Sequence, residues 1–169
     1  MKTTLLTCVI GITSILTYQE PLSKVATIKA PANAQRTSKD YINLYDKENF
    51  KNFRTNSLRN IFKIGGVIIE FEDTHFRKGA DNSLEYSADR ILGEGEEIIA
   101  AGTKDKVEIS MFNGTKYLIH KRSKGDECLY YFFSEEKNLT GINGIIKFKQ
   151  TELDKANKVL SDFLNNVRF

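Results

Sequence analysis

Two residues of this sequence have the chemistry of a nucleophilic pair. Cys128 and His120 lie on consecutive predicted strands, and an imidazole beside a thiol can activate it as a nucleophile. Because successive side chains of a strand point to opposite faces, the connection between the strands decides whether the two meet. An even connection places Cys128 with Lys121 and Ser123 and leaves His120 on the other face, whereas an odd connection brings the pair together. A lone cysteine before the apolar run 129–133 is otherwise typical of a small buried side chain.

A second group combines an imidazole with carboxylates. His75 follows Glu70, Glu72 and Asp73, and such side chains can bind a divalent cation. Glu70 and Glu72 share one face of a predicted strand, but His75 lies beyond its end and has no second histidine nearby. A solvated strand end explains the pattern, so we predict neither a metal site nor a cofactor.

Basic residues cluster in the middle of the chain. The cluster consists of Lys116, His120, Lys121, Arg122 and Lys124. These residues could contact a phosphate or an acidic partner. On a hairpin, however, Lys116 and Lys124 lie at opposite ends, and Asp126 and Glu127 offset part of the charge. A charged rim that protects a strand edge is the alternative interpretation.

Three tyrosines in the same region, Tyr117, Tyr130 and Tyr131, could line a pocket or an interface, since tyrosine combines contact area with a polar tip. We predict no catalytic residue. The candidate binding residues are Tyr117, His120, Lys121, Arg122, Lys124 and Tyr131.

The elements that position these residues form a predicted antiparallel meander. Apolar and polar residues alternate at 107–111, which is typical of a half-buried strand. Asn113-Gly114 supplies the positive φ angles of a type I′ turn. A return strand at 115–121, a turn at 124–126 and the apolar run 129–133 complete the meander.

The flanking sequence adds further elements. We predict strands at 67–72, 84–88 and 145–149, an acidic turn at 93–97, a flexible lead-in at 35–39 and one or two short helices between 40 and 61. Ser38 or Asp40 could cap the first helix.

The clearest helix lies at the C-terminus. Its apolar stripe at three-and-four spacing comprises Leu153, Ala156, Val159, Leu160, Phe163, Leu164 and Val167. Thr151 is the predicted N-cap, with Asp154 in the first turn. The predicted fold is therefore α+β, a mostly antiparallel sheet of about six strands packed against a C-terminal amphipathic helix.

The N-terminus has features of an export signal. Lys2 precedes an apolar run at 5–16, and Ala32-Asn33-Ala34 fits a cleavage site. We predict that residues 1–34 are a signal peptide and short linker and that 35–169 form a single globular domain, secreted or periplasmic after cleavage. A retained signal anchor is the alternative. No apolar stretch reaches the roughly 18 residues of a stable membrane span.

Charge and cysteine content narrow the function classes. Loss of residues 1–34 removes three lysines and one glutamate, so the formal net charge falls from +3 to +1. A nearly neutral domain argues against a nucleic-acid partner. The domain would keep Cys128 as its single cysteine and could form no internal disulfide.

One short stretch resembles a known family. Lys116-Tyr117 followed by 123–127, Ser-Lys-Gly-Asp-Glu, is similar to part of the membrane-bound or periplasmic C-type lysozyme inhibitors. Those proteins are disulfide-linked barrels without a long C-terminal helix, so no residue role is transferred. A C-terminal helix on an antiparallel sheet also resembles, in architecture, lumenal photosystem assembly proteins and pleckstrin-like barrels.

These observations favour an exported, non-enzymatic binding or accessory module. It would engage another protein, or a small apolar ligand as the second option, through a sheet face or edge that the helix leaves uncovered. The alternatives are a small cysteine-dependent hydrolase-like enzyme and a structural accessory subunit of an envelope or lumenal complex.

Overall fold

The computed structural model describes residues 21–53, 55–98 and 102–169, so 1–20, most of the predicted signal peptide, lie outside the described residues. The described strands are β1 (Gln35–Arg36), β2 (Asn60–Ile64), β3 (Val67–His75), β4 (Thr103–Phe112), β5 (Thr115–Lys124), β6 (Glu127–Ser134) and β7 (Thr140–Lys149). The helices are α1 (Lys39–Asn49), α2 (Leu84–Ile98) and α3 (Leu153–Asn165), with a 3-10 turn (Gln150–Glu152) before α3.

The described strands form one antiparallel sheet in the order β1-β2-β3-β7-β6-β5-β4. The α+β prediction is confirmed, with seven strands in the described part of the chain. The central meander is confirmed too: Asn113 (φ 48°) and Gly114 (φ 75°) form the type I′ turn between β4 and β5.

Helix α3 covers one face of the sheet, which we call the α3 face. Its predicted apolar stripe is buried except for the partly buried Leu153, and the Phe163 ring lies 4.8 Å from Phe71 and 5.5 Å from Phe132, centroid to centroid. Gly144 leaves room for the Phe132 ring of the neighbouring strand, because a Cβ there would clash with Phe132 Cζ and with the Glu70 carbonyl. The predicted Thr151 N-cap is wrong. Thr151 lies inside the 3-10 turn, and no side chain caps α3.

Helix α1 packs on the other face, the α1 face, where Ile42 joins Ile61 and Ile68 in a buried cluster. Ser38 caps α1, since its Oγ accepts the Tyr41 N–H at 3.2 Å. The prediction that helix extends to Ile61 is wrong, because residues 60–64 form strand β2 and pair with β3. Apolar spacing in a short segment fits both periods, and this pairing decides between them.

The prediction of a strand at 84–88 and a turn at 93–97 is wrong, because α2 spans both. Ser83 Oγ accepts the Tyr86 N–H at 3.2 Å at the start of this helix. Leu84 and Ala88 satisfy helical spacing as well as strand alternation, and Leu84 is buried. Helix α2 packs against β4 and β5.

Residues 21–34, which we call the N-terminal strap, lie against the α3-face core. Leu22, Val25 and Ile28 pack on that core, and Thr27 exchanges backbone hydrogen bonds of 2.7 and 3.1 Å with Arg168. Asn60 Nδ2 donates to the Leu22 carbonyl at 2.6 Å. In the parts of the chain described above, no helix has both the length and the apolar character needed to cross a membrane.

Candidate functional site

One long edge of the sheet has no strand beside it in the described structure. Strand β4 pairs with β5 along its whole length, from Thr103–Lys124 to Phe112–Thr115, and its outer side pairs with no described strand. The opposite edge is β1, which has only two residues. An open edge presents unpaired N–H and C=O groups that can accept another strand.

The hairpin geometry determines which peptide groups point outward. Phe112 and Thr115 close the two-residue turn as a hydrogen-bonded pair. In an antiparallel pair, hydrogen-bonded residues alternate along the strand. Val107, Ile109 and Met111 therefore direct their peptide groups away from β5, towards the free edge.

The same stretch of β4 exposes apolar side chains. Met111 is 65% exposed and Ile109 is 38% exposed, and their alternation places both on the α1 face. Tyr86 and Leu92 of the neighbouring helix α2 are exposed as well. The edge thus combines free backbone groups with apolar contact area.

On the α3 face, the edge is lined by lysines. Glu108 Oε2 lies 2.7 Å from Lys106 Nζ, and Glu108 Oε1 lies 2.6 Å from Lys121 Nζ. These two bonds lower the pKa of Glu108. Lys104 joins Lys106 and Lys121 around a cavity of about 190 Å³ that Tyr130 also lines.

A polar cluster holds β4 to β5 on the α1 face. Asp105 Oδ1 accepts from Arg122 Nε at 2.8 Å and lies 3.1 Å from His120 Nε2. The His120 ring stacks on Tyr131 with centroids 5.8 Å apart. Burial lowers the pKa of His120 and outweighs the opposing effect of Asp105. Because a carboxylate can only accept a hydrogen bond, Nε2 is the ring nitrogen that carries a proton in this contact.

The six predicted binding residues do not form one patch. His120, Arg122, Lys124 and Tyr131 lie on the α1 face, whereas Tyr117 and Lys121 lie on the α3 face. Tyr117 is fully buried beside Phe112, and burial raises its pKa. Tyr117 is therefore a core residue in this structure.

Sequence reasoning missed Ile109, Met111 and Asp105 as candidate site residues. The alternation at 107–111 identified the strand, but nothing local indicated that this strand lies at an edge. Asp105 shares its face with Arg122, which becomes visible only once the β4–β5 register is known.

Cys128 does not meet His120. The connection between β5 and β6 has two residues, and Cys128 pairs with Ser123 while His120 pairs with Tyr131, on opposite faces. Cys128 is 3% exposed, its Sγ donates to Gln150 Oε1 at 3.1 Å, and burial raises the pKa of the thiol. A raised pKa disfavours the thiolate that a nucleophile requires.

The carboxylates before His75 are dispersed. Glu70 lies on the α1 face, fully buried, with Oε1 2.6 Å from Lys147 Nζ. His75 lies on the α3 face at the exposed end of β3. Among the described residues, no three His, Cys, Asp or Glu side chains are grouped as metal ligands.

Comparisons with known proteins identify a fold relative. No protein-family model matches the chain, and no curated protein matches it. The solution structure of cyanobacterial PsbP (CyanoP) from Synechocystis sp. PCC 6803 superposes with a TM-score of 0.51 over 83% of this chain and 84% of that chain, at 7% sequence identity. The likeness shows that the two chains share a fold; at this identity it transfers no residue role.

Proposed function

We propose that this protein is an exported, non-enzymatic accessory module that binds another protein through the β4 edge. The observation that carries the proposal is the open edge of β4 with Ile109 and Met111 exposed beside it. Monomeric proteins normally shorten or cover a long edge that carries apolar residues. Strand addition to such an edge is a common mode of peptide recognition.

The contact area suits a partner protein better than a small ligand. Full burial of one large apolar side chain contributes roughly 1.5–3 kcal/mol, so the exposed fractions of Ile109 and Met111 offer about 2 kcal/mol together. The rest of the binding free energy would come from main-chain hydrogen bonds along β4, which only a partner with a peptide backbone can form.

The extracytoplasmic location rests on the N-terminal pattern of Lys2 and the apolar run 5–16. Cleavage at Ala32-Asn33-Ala34 would remove the strap that packs on the core, so the strap contacts favour cleavage before the strap. The fold shared with cyanobacterial PsbP supports an accessory role at the level of fold analogy. In a permanent structural subunit of an envelope or lumenal complex, the same edge would always be covered. Such a subunit would lose stability when its partner is absent, which distinguishes it from a separately stable binding module.

Site-specific photo-crosslinking in the native cells tests the proposal. A photoreactive amino acid at Met111 should link to a partner protein that mass spectrometry identifies. The matched control is Leu44, which is apolar and 58% exposed on α1. The variants Ile109→Lys and Met111→Lys should abolish copurification of that partner, whereas Leu44→Lys should retain it. Equal crosslinking at both positions, or no effect of the edge variants, would contradict the proposal.

A further inference from the structure

We infer that the partner contributes an extended segment with alternating apolar residues followed by alternating acidic residues, which adds to β4 as an antiparallel strand. This inference rests on the proposed function and specifies the chemistry of its partner. It follows from the free edge, from the two faces of β4 and from the charges beside it.

The two faces of β4 favour different side chains on an added strand, because one face carries apolar residues and the other carries lysines. Residues opposite Val107, Ile109 and Met111 lie on the α1 face, where apolar side chains cover the exposed Ile109 and Met111. Residues opposite Lys104 and Lys106 lie on the α3 face, because side chains directly opposite one another share a face.

Charge on the α3 face favours carboxylates. Lys104, Lys106 and Lys121 line the cavity of about 190 Å³ next to the edge, and Glu108 is the carboxylate bonded to Lys106 and Lys121. Asp105 points to the other face, where it is bonded to Arg122. A glutamate on the added strand can therefore reach ammonium groups that Glu108 only partly neutralises.

Antiparallel addition fixes the order of these residues. The first, third and fifth residues of the added segment lie opposite Met111, Ile109 and Val107, and the sixth and eighth lie opposite Lys106 and Lys104. The fourth lies opposite Glu108, whose carboxylate already bonds Lys106 and Lys121, so a neutral threonine suits this position. An eight-residue probe with this pattern is Val-Thr-Val-Thr-Val-Glu-Thr-Glu.

A second copy of this chain is a less suitable partner for the β4 edge than the proposed acidic segment. Strand β4 carries Lys104 and Lys106 with only Glu108 on its α3 face, so a second β4 would bring more lysine than carboxylate to the lysines already there. Like charges across a strand pair are unfavourable. Self-association is therefore an outcome of the test that opposes the inference.

Fluorescence anisotropy with the labelled probe peptide and the purified protein tests the inference. Binding should weaken about tenfold when both probe glutamates are changed to lysine. The double variant Lys104→Glu, Lys106→Glu should reverse this preference, and Met111→Lys should weaken both peptides. Leu44→Lys should bind like the native protein, and matching circular dichroism spectra check that each variant is folded.

The outcomes separate the two proposals. Failure of the probe to bind, insensitivity to the charge exchanges, or sedimentation showing a native dimer that Met111→Lys dissociates would overturn this inference. If the probe does not bind, or if the charge exchanges have no effect, crosslinking of a partner at Met111 would still support the proposed function. Charge-dependent probe binding without any partner crosslinked at Met111 would support the strand site and overturn the proposed function.

Discussion

Replacing Lys147 with methionine should destabilise the protein strongly, because Lys147 neutralises two carboxylates between α1 and the sheet. Its Nζ lies 2.5 Å from Asp46 Oδ2 on α1 and 2.6 Å from Glu70 Oε1 on β3. The Lys147 side chain is 1% exposed and that of Glu70 is 0% exposed. Glu70 also accepts the Leu58 N–H at 2.9 Å, which fixes the chain between α1 and β2.

The expected magnitude follows from this burial. Removal of one partner from a buried ion pair costs roughly 3–5 kcal/mol, because it leaves uncompensated charge. In a domain of this size that loss lowers the melting temperature by roughly 6–20 °C. The cost is a large share of a typical stability of roughly 5–15 kcal/mol.

Urea unfolding followed by circular dichroism measures the change. The matched control is Lys158→Met, which removes a lysine that is 75% exposed and paired with Asp162 at 2.9 Å. The control should lose roughly 0.3–0.5 kcal/mol. Adding Glu70→Gln to Lys147→Met should recover part of the loss, since it removes one unpaired charge. A loss of less than about 1 kcal/mol for Lys147→Met would show that this lysine does not compensate buried charge.

Three further predictions concern the cysteine, the histidine and the N-terminal strap. In protein starting at residue 21, iodoacetamide should label Cys128 only after denaturation, and rapid labelling of the native protein would contradict its placement in the core. Because burial depresses the pKa of His120 below its ordinary 6.5, the unfolded state binds more protons between the two values. Stability should therefore be fully present above pH 6.5 and decline on acidification through the folded pKa; urea unfolding from pH 5 to 8 should show a weaker decline for His120→Asn, and equal profiles would refute this. Protein 35–169 should be about 2–3 kcal/mol less stable to urea than protein 21–169, because it lacks the apolar contacts of the strap; equal stability would show that cleavage after Ala34 leaves the core intact.

Much of the fold follows from local sequence patterns. Three predictions from short segments are confirmed: the strand at 107–111, the Asn113-Gly114 turn and the C-terminal amphipathic helix. The strand and the helix are recognisable because one face of each is apolar. The strand prediction at 84–88 is wrong because the few apolar residues of this segment fit the helical period as well as the strand period.

The candidate site depends on contacts between distant parts of the chain. Residues 68–75 of β3 pair with β7, which places β3 and β7 inside the sheet and leaves β4 at its edge. The same pairing brings Glu70 to Lys147, and α1 adds Asp46 from still further away in sequence.

Local patterns alone identify five of the seven described strands, β3 to β7, together with the β4–β5 turn and the apolar face of α3. Contacts between distant segments establish that Tyr117 is core, that Cys128 and His120 point to opposite faces and that Met111 lies beside an open edge. The physical reason is that periodicity reports how one segment is buried, whereas strand order and register arise from hydrogen bonds and packing between segments that no local pattern specifies.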